Sequence, residues 1–293
     1  MEVLIVGGTG FIGRALQEAL TLSKIPHKIL SRKAAAGNHI FWNPETNQLD
    51  HASLQSITHI INLAGAGIAE KRWTNRRKNE LIRSRVDATQ FLYKECSKHC
   101  PSLVGYIGIS GVNAFGFDDA ACYTETHPFG ADFLSQLVAQ WEGAHRLFEQ
   151  VPSFNILRLG MVLSSKGGAY QKIAAPMRFY LGAIPGNGKQ YVPWIHLDDV
   201  IGLLLYGLEG NTWGLLHGVS NNSSMKELTK TIAEKEHSKI LLPNIPKFVI
   251  RVLFGEMGLL LTESIRVDYT KRAQLGYKPR FNQLSDLINE KEN

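Results

Sequence analysis

Residues 3–16 read Val3-Leu4-Ile5-Val6-Gly7-Gly8-Thr9-Gly10-Phe11-Ile12-Gly13-Arg14-Ala15-Leu16. The unbroken aliphatic run from Val3 to Val6 predicts a strand buried on both faces, and the apolar spacing after it predicts a helix over Ile12–Leu22. Between them the glycines form a G-x-x-G-x-x-G run, each with a steric task. Gly7 permits the tight strand-to-helix turn, Gly10 keeps a Cβ out of the path of a pyrophosphate, and Gly13 lets the helix lie close on the sheet. Free N–H groups and the positive dipole end of the helix make an anion site there. Gly7, Thr9, Gly10, Phe11, Ile12 and Gly13 are therefore expected to hold the phosphates of a dinucleotide.

The end of the second strand, His27–Leu30, chooses the dinucleotide. An NAD site puts an acidic residue here to hold the ribose hydroxyls. This chain instead has Leu30-Ser31-Arg32-Lys33. Ser31 and the Arg32 fork suit a 2′-phosphate, with Lys33 close by, so NADP(H) is expected. The plain alternative is that Arg32 is a surface cation on a loop. A strand over Ile57–Leu63 ends in Asn62-Leu63-Ala64-Gly65, and this stretch of Leu63, Ala64 and Gly65, with its small residues, suits a wall beside the adenosine and ribose.

Working outward, apolar strands at His39–Trp42, Leu103–Ser110 and Asn155–Leu159 alternate with helices near Thr74–His99 and Phe133–Gln150. That alternation predicts an α/β, Rossmann-type doubly wound parallel sheet. After Gly160 the texture changes to Gly- and Pro-rich loops, a helical stretch at Ile195–Leu208, a strand at Leu215–Val219 and short amphipathic segments from Ser224 onward. The division expected is 1–165 for the NADP-binding domain, with a returning segment near 195–222. The stretches 166–194 and 223–293 then make a smaller, mainly helical substrate lobe.

Composition excludes other classes. With 44% hydrophobic and 20% charged residues in 293, the chain is neither disordered nor fibrous. Cys96, Cys100 and Cys122 lack CxxC spacing and read as reduced and structural, with no metal centre. The net charge of +6 has its densest source in Lys71, Arg72, Arg76, Arg77, Lys78, Arg83 and Arg85. These are interleaved with Glu80 and Asp87, which reads as a solvated helix face rather than a nucleic-acid track. The strand begins at residue 3 without a leader pattern, and Val200–Leu208 and Val249–Leu261 fall short of the ~20 residues of a membrane span. The expectation is a cytoplasmic protein with a small-molecule substrate and no nucleic-acid or membrane partner. Self-association through the helix over 74–99 into a homodimer is left open.

Taken together, Gly7–Gly13, Asn62–Gly65, Ser110 and Trp194-Ile195-His196-Leu197-Asp198-Asp199 resemble the atypical extended short-chain dehydrogenases/reductases. The resemblance is nearer to the NAD-dependent epimerase/dehydratase-like family, with its 39U branch and bacterial "epimerase family" proteins. It runs nearly end to end and takes in Arg72-Trp73, Ser84-Arg85, Trp141-Glu142, Arg158-x-Gly160, Gly167-Gly168 and Gly276-Tyr277. It implies NADP contacts at the glycine turn, Ser31-Arg32 and Leu63-Ala64, and adds Glu80, Arg85 and the backbone near Val162.

In the wider superfamily a Tyr and a Lys four residues on move the substrate proton and hold the ribose. Counting back from Glu142 puts Val138 and Leu134 at those positions, so the YxxxK dyad is absent. Two readings follow. Either an oxidoreductase or epimerase of small carbonyl or sugar-like substrates works with a substitute set, Ser110, Tyr123 and Glu125, with Arg158, Lys172, Trp194 and His196 toward substrate. Or the chain is a non-catalytic NADP(H) sensor or partner-binding module.

Overall fold

The computed structural model describes residues 1–32 and 37–290. The glycine run lies where its sterics require, between β1 (Val3–Val6) and α1 (Phe11–Leu22). The chain continues through β2 (His27–Ser31), β3 (His39–Asn43), β4 (Gln48–Leu49), a 3₁₀ turn at Ala52–Leu54, and β5 (His59–Asn62). Then come α2 (Asn75–Arg83), α3 (Val86–His99), β6 (Gly105–Gly111), α4 (Phe133–His145), β7 (Ser153–Leu159) and β8 (Met161–Ser164). They are followed by α5 (Gly168–Met177), β9 (Tyr191–His196), α6 (Leu197–Leu208), β10 (Gly214–Gly218) and β11 (Asn221–Ser224). The chain closes with α7 (Met225–Lys235), α8 (Lys247–Phe254), α9 (Leu259–Thr262), α10 (Thr270–Gln274) and α11 (Leu284–Ile288).

Among the described residues eight strands form one sheet in the order β10-β7-β6-β5-β1-β2-β3-β4, parallel throughout except for the edge strand β4. Successive strands run outward from β1 in one direction and from β5 in the other. The reversal between these neighbours is the switch point at which an open α/β sheet offers a crevice at its carboxyl edge. The fold is thus the Rossmann-type α/β architecture expected. Alternation along β1 shows why its run is wholly apolar. Val3 and Ile5 pack with Leu16 and Leu20 of α1 and Leu203 and Leu204 of α6. Leu4 and Val6 pack on the opposite face with Ala88, Phe91 and Leu92 of α3. Each such side chain taken out of water is worth roughly 1.5–3 kcal/mol.

A second sheet, β11-β9-β8, lies beside the first. Its core joins Leu163 and Trp194 to Tyr170 and Met177 of α5, Leu228 and Ile232 of α7, and Leu284 and Leu287 of α11. Gly160 stands between β7 of one sheet and β8 of the other, and a Cβ there would meet the Pro193 carbonyl oxygen at 2.6 Å. β10 is the strand that returns to the main sheet, parallel to β7.

Three local expectations change. The stretch 74–99 is two helices, because Ser84 and Arg85 leave the helix and turn back on the loop after β5. The Ser84 hydroxyl accepts from Ala66 N–H at 3.0 Å and Arg85 Nη2 donates to the Ala66 carbonyl at 2.9 Å. Ile195 and His196 end a strand instead of opening a helix. His196 has extended backbone and caps α6, its Nδ1 accepting from Asp198 N–H at 3.1 Å. The helix from Phe133 stops at His145 and finishes in a 3₁₀ turn, Arg146–Phe148. No helix among the described residues is long and apolar enough to cross a membrane.

Candidate cofactor and active site

At the glycine turn, Gly7 has φ +80° and a Cβ there would stand 2.7 Å from the Leu63 carbonyl oxygen. Gly13 is tighter, because its Cβ would lie 2.5 Å from the carbonyl oxygens of both Gly7 and Gly8. Thr9 and Gly10 are exposed. A Cβ on Gly10 would approach only the Gly7 carbonyl, at 3.2 Å, so the outer lip of the turn is open. Gln17 Nε2 donates to Gly8 O at 2.7 Å and ties the turn to α1. Gly10 caps α1 without a side-chain acceptor, leaving the first N–H groups for a ligand. These residues fit a pyrophosphate. The ring of Phe11, partly buried with Ile12 in the core below, lies 2.9 Å from where a Gly167 Cβ would stand, which seats the start of α5 close to the turn.

Opposite runs the wall Leu63-Ala64-Gly65. Asn62 organises it, its Oδ1 accepting from Ala64 N–H at 3.1 Å. Asn62 Nδ2 donates to Thr89 Oγ1 and to Tyr106 Oη, Tyr106 donates to His145 Nδ1 at 2.6 Å, and His145 Nε2–H donates to the Ile109 carbonyl. Burial holds the His145 imidazole neutral, lowering it to about 4 against the pull of the Ile109 carbonyl. Arg85 backs the wall from below. Its Cζ would stand 3.0 Å from a Gly65 Cβ, and its guanidinium lies 4.9 Å from the Trp141 ring centroid. Burial and the nearby Arg77 lower Arg85 to about 10, so it keeps its charge at neutral pH.

At the end of β2, Ser31 is buried and Arg32 exposed, facing solvent beyond the strand. Lys33 lies outside the described residues. Glu80 is exposed and paired with Arg77 at 2.7 Å on α2. Arg77 lowers its carboxyl by hydrogen bond and charge. Val162, on β8, is partly buried and registers with Ile195.

The candidate chemistry gathers in one row across the carboxyl ends of three neighbouring strands. Ser110 on β6 registers with Arg158 on β7, and Arg158 with His217 on β10, so all three point to one face. Above them, Glu142 of α4 accepts from Ser110 Oγ at 2.7 Å, from Arg158 Nε at 2.7 Å and from Arg158 Nη2 at 2.9 Å. Arg158 Nη1 reaches the Glu125 carbonyl at 3.1 Å, and the Glu125 carboxylate accepts from His217 N–H at 3.0 Å. His217 donates from Nδ1 to the Asp268 carbonyl, leaving a buried Nε2 lone pair without a partner. Burial lowers this imidazole, so it is neutral. Tyr123 stacks on Phe115 at 4.8 Å, and its hydroxyl takes no hydrogen bond from a described residue. Burial, then the Asp118 carboxylate, pushes its phenol upward.

Three residues expected to face substrate sit otherwise. Trp194 is wholly buried in the second sheet with its indole N–H on Ser223 Oγ. His196 is a buried cap, stacked on Phe281 at 3.6 Å and bonded to Glu290. Lys172 is exposed, but its ammonium donates to the Ala69 carbonyl at 2.7 Å and bridges α5 to the loop before α2. Leu134 and Val138 are buried, in two separate apolar clusters. His217 and the pairing of Glu142 with Ser110 and Arg158 escaped sequence reading. His217 is the one polar side chain of β10 and acquires meaning only through register, and Glu142 on α4 only through the strands beneath it.

A model of the NAD dependent epimerase/dehydratase family matches residues 3–212. The mouse epimerase family protein SDR39U1 is 33% identical over 296 residues, covering 99% of this chain and of the relative. The epimerase family protein SERP0438 of Staphylococcus epidermidis is 31% identical over 299 residues, covering 98% of this chain and 97% of its own. The crystal structure of human epimerase family protein SDR39U1 with NADPH matches at a TM-score of 0.89 and 31% identity, covering 98% of each chain. MoeE5, solved with UDP-glucuronic acid and NAD, matches at a TM-score of 0.77 and 19% identity over 99% of this chain and 98% of its own, a likeness of fold. With the glycine turn, the switch point and this end-to-end similarity, the chain belongs to the NAD dependent epimerase/dehydratase family.

Proposed function

We propose that this protein binds NADP(H) at the switch point and uses it for oxidoreduction or epimerisation of a small carbonyl or sugar-like substrate. The observation that carries the reading is the open-lipped glycine turn facing the Leu63–Gly65 wall, with a cation and no carboxylate described at the end of β2. The NADPH held by the human relative supports it. Gly7, Thr9, Gly10 and Gly13 would receive the pyrophosphate, Ser31 and Arg32 the 2′-phosphate, and Leu63, Ala64 and Gly65 the adenosine. Bound there, the nicotinamide supplies hydride chemistry at a carbonyl carbon.

The chain's own part is to orient substrate and manage one proton. Ser110, Glu142 and Arg158 form a closed, mutually neutralised set that fixes the floor of the row. Tyr123 is the protic group left over. A phenol is protonated at neutral pH, and the upward push of burial and Asp118 keeps it so. Oη therefore has a proton to give to a developing alkoxide in the reducing direction, as a weaker acid than a free tyrosine. The decisive experiment is a panel of carbonyl compounds and nucleotide sugars offered with NADPH, followed by nicotinamide absorbance and by epimer ratio. Turnover supports the reading. Tight NADPH binding without turnover across the panel overturns it.

A second reading, an NADP(H)-responsive binding module, is favoured by the same closed set, since Ser110 and Arg158 are already satisfied and Leu134 and Val138 are apolar. It requires partner affinity to differ between NADP⁺ and NADPH, and equal affinity in both states excludes it.

A further inference from the structure

We propose that His51, Glu95 and His99 form a binding site for a divalent transition-metal ion, with zinc the representative ligand. Glu95 and His99 lie four residues apart near the end of α3, hence on one face of the helix. His51 immediately precedes the Ala52–Leu54 turn and reaches the same spot from 44 residues away. Its Nε2 lies 2.8 Å from Glu95 Oε2, His99 Nε2 lies 3.9 Å from the same oxygen, and the two imidazoles stack with centroids 4.1 Å apart. All three donor atoms fall within 4.8 Å of one another.

Ligands about 2.0–2.2 Å from zinc stand roughly 3.4 Å apart, so small rotations of two half-open imidazoles complete the fit. Two imidazoles and a carboxylate suit zinc, copper or nickel better than calcium or magnesium, whose preference is for all-oxygen sets. The Glu95 side chain is only 11% exposed, so its charge is poorly served by water. The negative end of the α3 dipole adds to the attraction for a cation. His51 gives up its Nε2 hydrogen bond to Glu95 on coordination, offering that lone pair to the ion with its ring proton on Nδ1. Three protein ligands leave a fourth position for water.

The site lies away from the crevice. The Ala52–Leu54 turn leads into β5 and α3 leads toward β6, which places it at the amino edge of the parallel sheet. The glycine turn follows β1 at the carboxyl edge. An ion here clamps the end of α3 to the β4–β5 connection, a structural role independent of the proposed NADP(H) chemistry.

The test uses the full chain freed of metal with chelator and then titrated with zinc chloride by calorimetry and thermal unfolding. One equivalent should bind and raise the unfolding midpoint. Changing groups that merely orient ligands costs 10–100-fold in metal affinity, so His51→Ala and His99→Ala should each weaken binding by about 100-fold or more. His237→Ala, an exposed histidine outside the cluster, should change nothing. Cobalt(II) added to the unaltered protein keeps the proposal falsifiable if a variant fails to fold, since four- or five-coordinate absorption is expected. The octahedral aqua spectrum, absence of saturable binding, or cluster variants that bind zinc as tightly as the unaltered protein overturns it. NADPH affinity should not move with zinc.

Discussion

Arg158 and Glu142 meet as a two-pronged ion pair, Nε on Oε1 at 2.7 Å and Nη2 on Oε2 at 2.9 Å, with each side chain 2% exposed. Phe115 lies 5.0 Å from the guanidinium and helps keep water out. The pair joins β7 to α4 within the row of candidate chemistry.

Removing one partner strands a buried charge. Glu142→Ala or Arg158→Ala should each lower the unfolding free energy by about 3–5 kcal/mol. The double change Glu142→Leu/Arg158→Met should cost much less than the sum. Urea unfolding of all three variants makes the comparison, and a loss in the double variant as large as the two single losses together would show that the pair does not act as a unit.

Arg32→Ala should weaken NADPH binding by about 10–100-fold and leave NADH binding nearly unchanged, because a charge-assisted fork to a 2′-phosphate is lost. Calorimetry with both cofactors reads the ratio directly. An equal effect on the two would mean that Arg32 does not select the cofactor.

Gly13→Ala puts a methyl 2.5 Å from two carbonyl oxygens of the turn. Backbone must move, so stability should fall by about 1–3 kcal/mol and NADPH affinity with it. Thermal unfolding and a NADPH titration of the variant check both, and unchanged values would contradict the close packing of α1 on the turn.

Tyr123→Phe keeps the stack on Phe115 and deletes only the hydroxyl. With a substrate in hand, kcat should drop by about 10²–10⁴-fold while the unfolding midpoint stays put. An unaffected kcat would assign the proton to another group.

Acid should destabilise the fold through His145. The unfolded imidazole takes a proton near 6.5, whereas the folded one, desolvated by burial, resists until about 4. The stabilisation is complete above about pH 6.5 and is lost as pH falls to about 4, at up to about 1.4 kcal/mol per pH unit and roughly 3 kcal/mol in all. His217, lowered for the same reason, adds with the same sign. Urea midpoints measured across this range should decline with falling pH, and a flat profile would count against a neutral buried pair.

Much of the fold could be read from local pattern. Val3–Val6 is apolar at every position because β1 is covered on both sides, and the glycines at 7, 10 and 13 answer to contacts only a few residues away. What could not be read depends on distant partners. The break at Ser84-Arg85 is paid for by bonds to Ala66, nearly twenty residues back. A polar face spanning Arg76 to Asp87 gives no hint of that loop.

By itself the chain determined its sheet class, its glycine turn and the cationic end of β2, since strand burial, turn sterics and helix dipoles are short-range demands written in neighbouring residues. Tertiary structure alone decided which polar groups remain available. Ser110, Arg158 and His217 became one row through strand register, Trp194 and His196 were turned into the core, and His51 was carried to Glu95 and His99. Hydrogen bonds and ion pairs between segments tens of residues apart are satisfied only once the chain has closed, and no local spacing records them.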